Sequence, residues 1–220
     1  MTKAASLLLS LFLFSTDGRA FAQDADPVSL LPNGGFDQAN PTNAAIPLGW
    51  DRLDGLGVTW EAGEAGDRFI RMNTAVSEKD YVESCRANGL DKWVFPNAGG
   101  GPIAGTYGLS YYSDSIPVST GQAYRLTFRF RGGGKVWVRG YGQLRNEERR
   151  LYDTVVNCRG TEKGWNTLSQ CFHPTKHTPG VRTIRIMLYA YWPPGLYDFD
   201  EVALTPVSEA EWQACHRENE

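Results

Sequence analysis

Three segments of this chain alternate apolar and polar residues with a period of two, and that period, not the 3.6 of a helix, constrains the fold most strongly. In Ala123–Arg131, Leu126, Phe128 and Phe130 alternate with Arg125, Thr127, Arg129 and Arg131. In Lys135–Tyr141, Val136 and Val138 alternate with Trp137, Arg139 and Tyr141. In Arg182–Tyr191, Ile184, Ile186, Leu188 and Ala190 alternate with Arg185, Met187, Tyr189 and Tyr191. Successive side chains of a strand point to opposite faces, so each segment reads as a half-buried strand with its aliphatic set in the core. Gly132-Gly133-Gly134 turns the first strand into the second, which predicts that the two are neighbours in one sheet.

Weaker signals fill in the rest. Ser29–Phe36 is expected to open the fold as a short strand broken at Asn33-Gly34-Gly35, and Val58–Glu61 with Phe69–Met72 to form a hairpin around Gly63, Gly66 and Asp67. Tyr107–Pro117 leads into a turn at Ser119-Thr120-Gly121, Glu147–Arg150 reads as a charged turn, and Leu196–Leu204 closes the domain. Between Asn73 and Thr106 the periodicity fades into glycine, proline and charge, which predicts a long loop, functional or mobile. Ser208 followed by Glu211 is a capping-box signature for a short terminal helix. The fold class is therefore all-β, an antiparallel β-sandwich with a short C-terminal helix.

The N-terminus carries an export signal: Lys3, an apolar run from Ala4 to Phe14, and small residues at Ala20 and Ala22. The predicted plan is a signal peptide at 1–22, a linker at 23–28, a sandwich at 29–207 and a tail or helix at 208–220. The location is then secreted or periplasmic. The apolar run is shorter than the ~20 residues a transmembrane helix needs, so no membrane insertion is expected. A formal net charge of −3 gives no reason to expect nucleic acid as a partner. Four cysteines in an exported chain predict two disulfides, and sequence alone allows three connectivities. The favoured pairs are Cys158 with Cys171, because Gly160, Gly164 and Trp165 read as a turn between them, and Cys85 with Cys215.

Several motifs, taken in order, resemble the jelly-roll carbohydrate-binding modules of the galactose-binding-like superfamily. They are Leu31-Pro32-Asn33-Gly34-Gly35-Phe36-Asp37, then Gly49-Trp50, then Ile116-Pro117-Val118 through Gly121-Gln122-Ala123-Tyr124. Gly164-Trp165-Asn166-Thr167 and the closing Tyr197-Asp198-Phe199-Asp200-Glu201-Val202-Ala203-Leu204 complete the set. The resemblance implies a jelly roll and a glycan as partner. It also implies a structural calcium with Asp37 and Asp200 among its ligands, although the family prefers glutamate where this chain has Asp37. Two carboxylates with backbone carbonyls form an oxygen set of the kind calcium takes.

The polar sets of the alternating strands bring Arg125, Arg129, Arg131, Trp137, Arg139, Tyr141, Arg185, Tyr189 and Tyr191 onto what is expected to be one sheet face. Aromatic rings stack on the C–H faces of sugars, and planar polar groups hydrogen-bond their hydroxyls. The arginines suggest an acidic polysaccharide whose uronate or sulfate groups meet bidentate guanidinium contacts. The run Tyr189-Ala190-Tyr191-Trp192-Pro193-Pro194-Gly195 is a second candidate, as a rigid aromatic rim that Tyr107, Tyr111 and Tyr112 could join.

No catalytic motif stands out: there is no Gly-x-Ser-x-Gly elbow, no phosphate loop and no Cys-x-x-Cys pair, and His173 and His177 flank a Pro-containing segment. The expectation is a monomeric, non-catalytic binding module. A polysaccharide lyase recruiting Arg139, Tyr141, Arg185 and Tyr189 is the alternative reading, with a structural or adhesion domain as a third.

Overall fold

The computed structural model describes residues 28–160 and 163–217. The predicted signal peptide at 1–22 and most of the predicted linker at 23–28 lie outside the described residues. A small ribbon of β1 (Ala39–Asn40) and β2 (Asn43–Pro47) precedes the body of the fold. There follow β3 (Val58–Ala62), β4 (Arg68–Asn73), α1 (Glu78–Ala87), β5 (Leu109–Tyr112), β6 (Ile116–Pro117) and β7 (Ala123–Arg131). The remainder is β8 (Gly133–Leu144), β9 (Glu147–Arg159), β10 (Asn166–Phe172), β11 (Thr183–Ala190), β12 (Leu196–Val207) and α2 (Glu209–Arg217). The strands form two antiparallel sheets. Sheet one runs β10-β7-β12-β4-β3, and sheet two runs β5-β11-β8-β9 with β6 also paired to β11.

The two sheets pack face to face over the aliphatic set the alternation selects. Leu126, Phe128 and Phe130 point inward from sheet one, and Val136, Val138, Ile184, Ile186 and Leu188 point inward from sheet two, all buried. Ile70, Met72, Phe199 and Leu204 complete the sheet-one side. Burying each such side chain is worth about 1.5–3 kcal/mol, so this layer is the main source of stability.

The expected pairing of β7 with β8 is not found. A single residue, Gly132, separates them, and they lie in opposite sheets. Gly132 has φ +90°, and a Cβ there would lie 2.6 Å from the Leu196 carbonyl oxygen. Only glycine fits that conformation and that approach, so the chain makes a corner between sheets where a hairpin turn was expected. The true hairpin is β8 to β9, joined at Arg145 and Asn146, which both have positive φ as a type I′ turn requires. Glu147–Arg150 therefore begins a strand and is not a turn. The β3–β4 hairpin forms as the pattern predicts.

Two other local expectations change. Residues 29–36 form turns, tied to β12 by Leu30 N donating to Leu204 O at 2.7 Å and Val202 N donating to Gly34 O at 2.9 Å. The 73–106 stretch contains α1, whose Ser77 N-cap hydroxyl accepts from Asp80 N at 3.1 Å. Tyr81, Val82 and Cys85 form its buried stripe, a narrow helical signal among charged neighbours. At the other end, α2 keeps its capping box: Ser208 N donates to Glu211 Oε2 at 2.8 Å.

The cysteine pairing also differs. Cys171 on β10 bonds Cys215 on α2, while Cys85 and Cys158 are free and buried. Cys158 sits on β9 in sheet two and Cys171 on β10 in sheet one, so no turn brings them together. The actual bond fastens α2 to an edge strand, beside the small cluster of Ala123, Val207 and Trp212. Burial pushes the thiols of Cys85 and Cys158 up, to about 11 and about 12. A thiol reagent is expected to leave both unlabelled in the native protein and to label two per chain in denaturant without reductant. Labelling of four, or of none, would contradict this pairing.

Candidate functional site

Strand register arranges the outer face of sheet two in rows. Tyr112, Met187, Trp137 and Val155 lie side by side across β5, β11, β8 and β9. On one side of that row lie Ser110, Tyr189, Lys135 and Asn157, and on the other Arg185, Arg139 and Asp153. Thr183, Tyr141 and Arg150 form the last row. Trp137, Arg139, Tyr141, Arg185 and Tyr189 therefore share one face, as the alternation predicts.

Two donors at its centre are unmatched. Trp137 Nε1 and Arg139 Nε are buried, and no acceptor among the described residues reaches either one. The Arg139 guanidinium lies over the Trp137 ring at 5.2 Å, with Asp153 no closer than 4.0 Å. Leaving a buried donor unpaired costs about 1–3 kcal/mol, so each calls for a partner from outside the chain, water or ligand.

A wall rises along the β5 edge. Asp51 accepts from Arg185 Nη2 at 2.9 Å on one oxygen and from Lys92 Nζ at 3.2 Å on the other. Arg185 Nε also donates to Ser113 O at 2.6 Å, so its guanidinium is fixed, and it lies over the Tyr112 ring at 4.9 Å. Trp93, Phe95, Tyr107 and Ser110 line an adjoining hollow of about 270 Å³. Tyr189 donates to Tyr107 O at 3.3 Å and stacks on Tyr191 at 5.6 Å. Gly108 permits this approach, since with φ +63° a Cβ there would meet Ala190 O at 2.5 Å. The long connection thus supplies a side to the face. Sequence reasoning missed Asp51, Lys92, Trp93 and Phe95, because nothing local to them marks their position against β5. Of the three tyrosines offered for the rim, Tyr107 and Tyr112 take part. Tyr111 is core, stacked on Trp50 at 5.5 Å.

Arg125, Arg129 and Arg131 do not join this face. They project from β7 on the outer side of sheet one, across the core, because Gly132 places β7 and β8 in different sheets. Trp192 is also separate, lining a cleft of about 370 Å³ at the sandwich end with Gly132–Gly134 and Pro193. On sheet one, Asp198 stands between Arg71 and Arg131 in register, taking Arg71 Nε at 2.8 Å on one oxygen and Arg131 Nε at 2.8 Å on the other. Arg129 donates to Glu201 at 2.6 Å.

The two aspartates of the implied calcium site differ sharply. Asp37 is exposed and accepts from Arg68 N at 3.1 Å. Asp200 is fully buried, with Oδ1 accepting from Glu201 N at 2.6 Å and Oδ2 without a hydrogen-bond partner. Burial, reinforced by the charge of Asp67, pushes its carboxyl up to about 7. That oxygen lies 3.9 Å from Arg129 Nη1, so a cation there would share the carboxylate with the guanidinium. No group of three or more acidic, histidine or cysteine side chains converges among the described residues, so backbone carbonyls would have to complete such a site.

Comparison with known proteins adds the fold. No family model matches the chain, and no curated protein matches it. Among solved structures, an arabinose-bound α-L-arabinofuranosidase superposes with a TM-score of 0.50 at 17% identity, covering 81% of this chain and 26% of that one. The chain thus spans about a quarter of that enzyme's length. A CBM4 structure has a TM-score of 0.43 at 14% identity, covering 80% of this chain and 99% of that one. A CBM22-1 xylan-binding domain from Paenibacillus barcinonensis has a TM-score of 0.42 at 10% identity, covering 84% and 99%. The shared feature is the jelly-roll β-sandwich. No helix among the described residues is long and apolar enough to cross a membrane.

Replacing Asp198 by alanine is expected to cost about 2–3 kcal/mol in urea unfolding, below the ~3–5 of a fully buried pair, since Arg71 and Arg131 keep contact with water. A loss under about 0.5 kcal/mol, typical of surface substitutions, would show that the two arginines do not depend on it.

Proposed function

We propose that the outer face of sheet two binds a polysaccharide chain without cleaving it. The observation that carries this reading is the central pair Trp137 and Arg139, whose Nε1 and Nε find no acceptor among the described residues, with the rings of Tyr112, Tyr189 and Tyr141 on the same face. An aromatic floor takes the C–H face of a sugar, and the guanidinium groups beside it take hydroxyl or carboxylate oxygens. Lys135, Arg139, Arg150 and Arg185 outnumber Asp51 and Asp153 there, which favours an acidic polysaccharide. The disulfide favours an oxidising compartment and hence export.

A lyase would need a tyrosine that gives up its proton readily. Burial pushes Tyr189 upward, with Tyr191 adding to the shift, and burial likewise raises Tyr112 against the lowering influence of Arg139 and Arg185. The shift on Tyr189 disfavours the ionised form that would abstract a proton.

The test is affinity electrophoresis against alginate, polygalacturonate, xylan and galactan. Trp137→Ala and Arg139→Gln are expected to weaken retardation by the preferred polymer at least tenfold, about 1.4 kcal/mol, while Arg125→Ala leaves it unchanged. Equal retardation of wild type and Trp137→Ala would remove this face from the function. Release of unsaturated products absorbing in the ultraviolet would move the protein to the lyases.

We also propose that Asp37 and Asp200, with neighbouring backbone carbonyls, hold a structural calcium ion. Support comes from the unmatched Asp200 oxygen. Calcium is expected to raise the melting temperature over that in chelator, and Asp200→Asn to abolish the difference. An unchanged melting temperature in the wild type would dismiss the ion.

A further inference from the structure

The outer face of sheet one holds a cleft of about 700 Å³ that the sheet-two face does not use, a size within the roughly 300–1,000 Å³ of small-molecule sites. Trp165 is its aromatic wall. The guanidinium carbons of Arg129 and Arg131 each lie 4.9 Å from the Trp165 ring centre, and Phe69 meets that ring edge-on at 5.7 Å.

The cations here are held in place. Arg71 and Arg131 are both fixed by the buried Asp198, and Arg129 by Glu201. Glu201 sits at φ +47°, unusual for a side chain of its size, at a register break in β12 between Asp200 and Ala203. Bulges of this kind re-aim side chains and gather beside functional sites. Here the bulge accompanies a carboxylate locked to Arg129. Fixed guanidinium groups bind without paying the entropy of ordering them first.

The charge around the cleft differs from that of the sheet-two face. Lys163 joins the three arginines in its lining, Glu61, Glu64 and Asp67 also line it, and Asp198, Asp200 and Glu201 stand behind the arginines, so the acids outnumber the cations. A polyanion entering would meet carboxylates at close range. A neutral sugar would find donors and acceptors together beside an indole, since each hydroxyl both donates and accepts.

We propose that this cleft is a second saccharide site, one that takes a neutral sugar residue. It lies on the opposite side of the sandwich from the acidic-glycan face and rests on that reading only in taking the ligand to be a glycan. The module would then hold two chains, or two regions of one, at the same time.

Indole signals in nitrogen-15 correlation spectra test this directly. The chain has seven tryptophans, and the signals of Trp137 and Trp165 are assigned by their loss in Trp137→Phe and Trp165→Phe. The full mature chain is titrated with cellohexaose, xylohexaose, mannohexaose and galactohexaose, and separately with hexagalacturonate and hexamannuronate. At least one neutral hexaose is expected to shift Trp165 saturably, equally in wild type and Trp137→Phe. Arg129→Gln is expected to weaken that titration at least fivefold and to leave any Trp137 titration unchanged.

The proposal is overturned if no neutral oligosaccharide moves Trp165, whether or not Trp137 responds, or if only the uronates move it. A Trp137 response alone leaves the sheet-two reading standing and removes the second site. A Trp165 response alone does the reverse.

Discussion

Every feature of this molecule depends on the burial of one inward-facing set of side chains between two sheets. Phe128, Phe130 and Phe199 from sheet one and Val136, Ile186 and Leu188 from sheet two are almost completely shielded from water. Because a strand alternates strictly, fixing these residues inside fixes Arg129, Arg131, Trp137, Arg139, Arg185 and Tyr189 outside. A slip of one residue in any of these strands would exchange core and surface, so the chemistry of the two outer faces is tied to the packing of the interior.

This coupling explains which parts of the fold were legible in the sequence. Period-two alternation identified which residues of β7, β8 and β11 face inward, and every one of them does. Alternation is silent on which sheet a strand joins, and that depends here on Gly132. Three successive glycines read as a hairpin turn, whereas the structure uses the first as a corner, because only a residue without a Cβ can pass so close to Leu196 O. One glycine therefore divided a single predicted face into two. The same limit applies to the cysteines, since the distance from Cys171 to Cys215 depends on how α2 docks against β10 and not on spacing along the chain.

The candidate site was half legible for a related reason. Trp137, Arg139, Arg185 and Tyr189 announce themselves by strand position. Asp51, Lys92 and Phe95 come from connections without periodicity, and Asp51 matters only because Lys92 and Arg185 converge on its two oxygens. Tyr111 ties the same segment down by donating to Asp51 O at 2.9 Å, so the core directly supports the wall of the face. On the other sheet, Trp165 drew attention as part of a turn motif, while its partners Phe69, Arg129 and Arg131 belong to strands distant in sequence.

The position of β12 has a consequence for how this chain reaches its native state. It is the last strand, yet it is the middle strand of sheet one, pairing with β7 on one side and β4 on the other. Asp198, between Arg71 and Arg131 of those neighbours, and Asp200, opposite Arg129, also arrive with it. A chain emerging from its N-terminus can form the β3–β4 and β8–β9 hairpins early, but sheet one stays in two pieces until residues beyond 196 are available. Closing it requires contacts over more than a hundred residues of chain, and folds dominated by such distant pairings form slowly. Vectorial synthesis or translocation would therefore deliver this protein as an open, unfinished sheet, and completion would be a single late event set by the last strand.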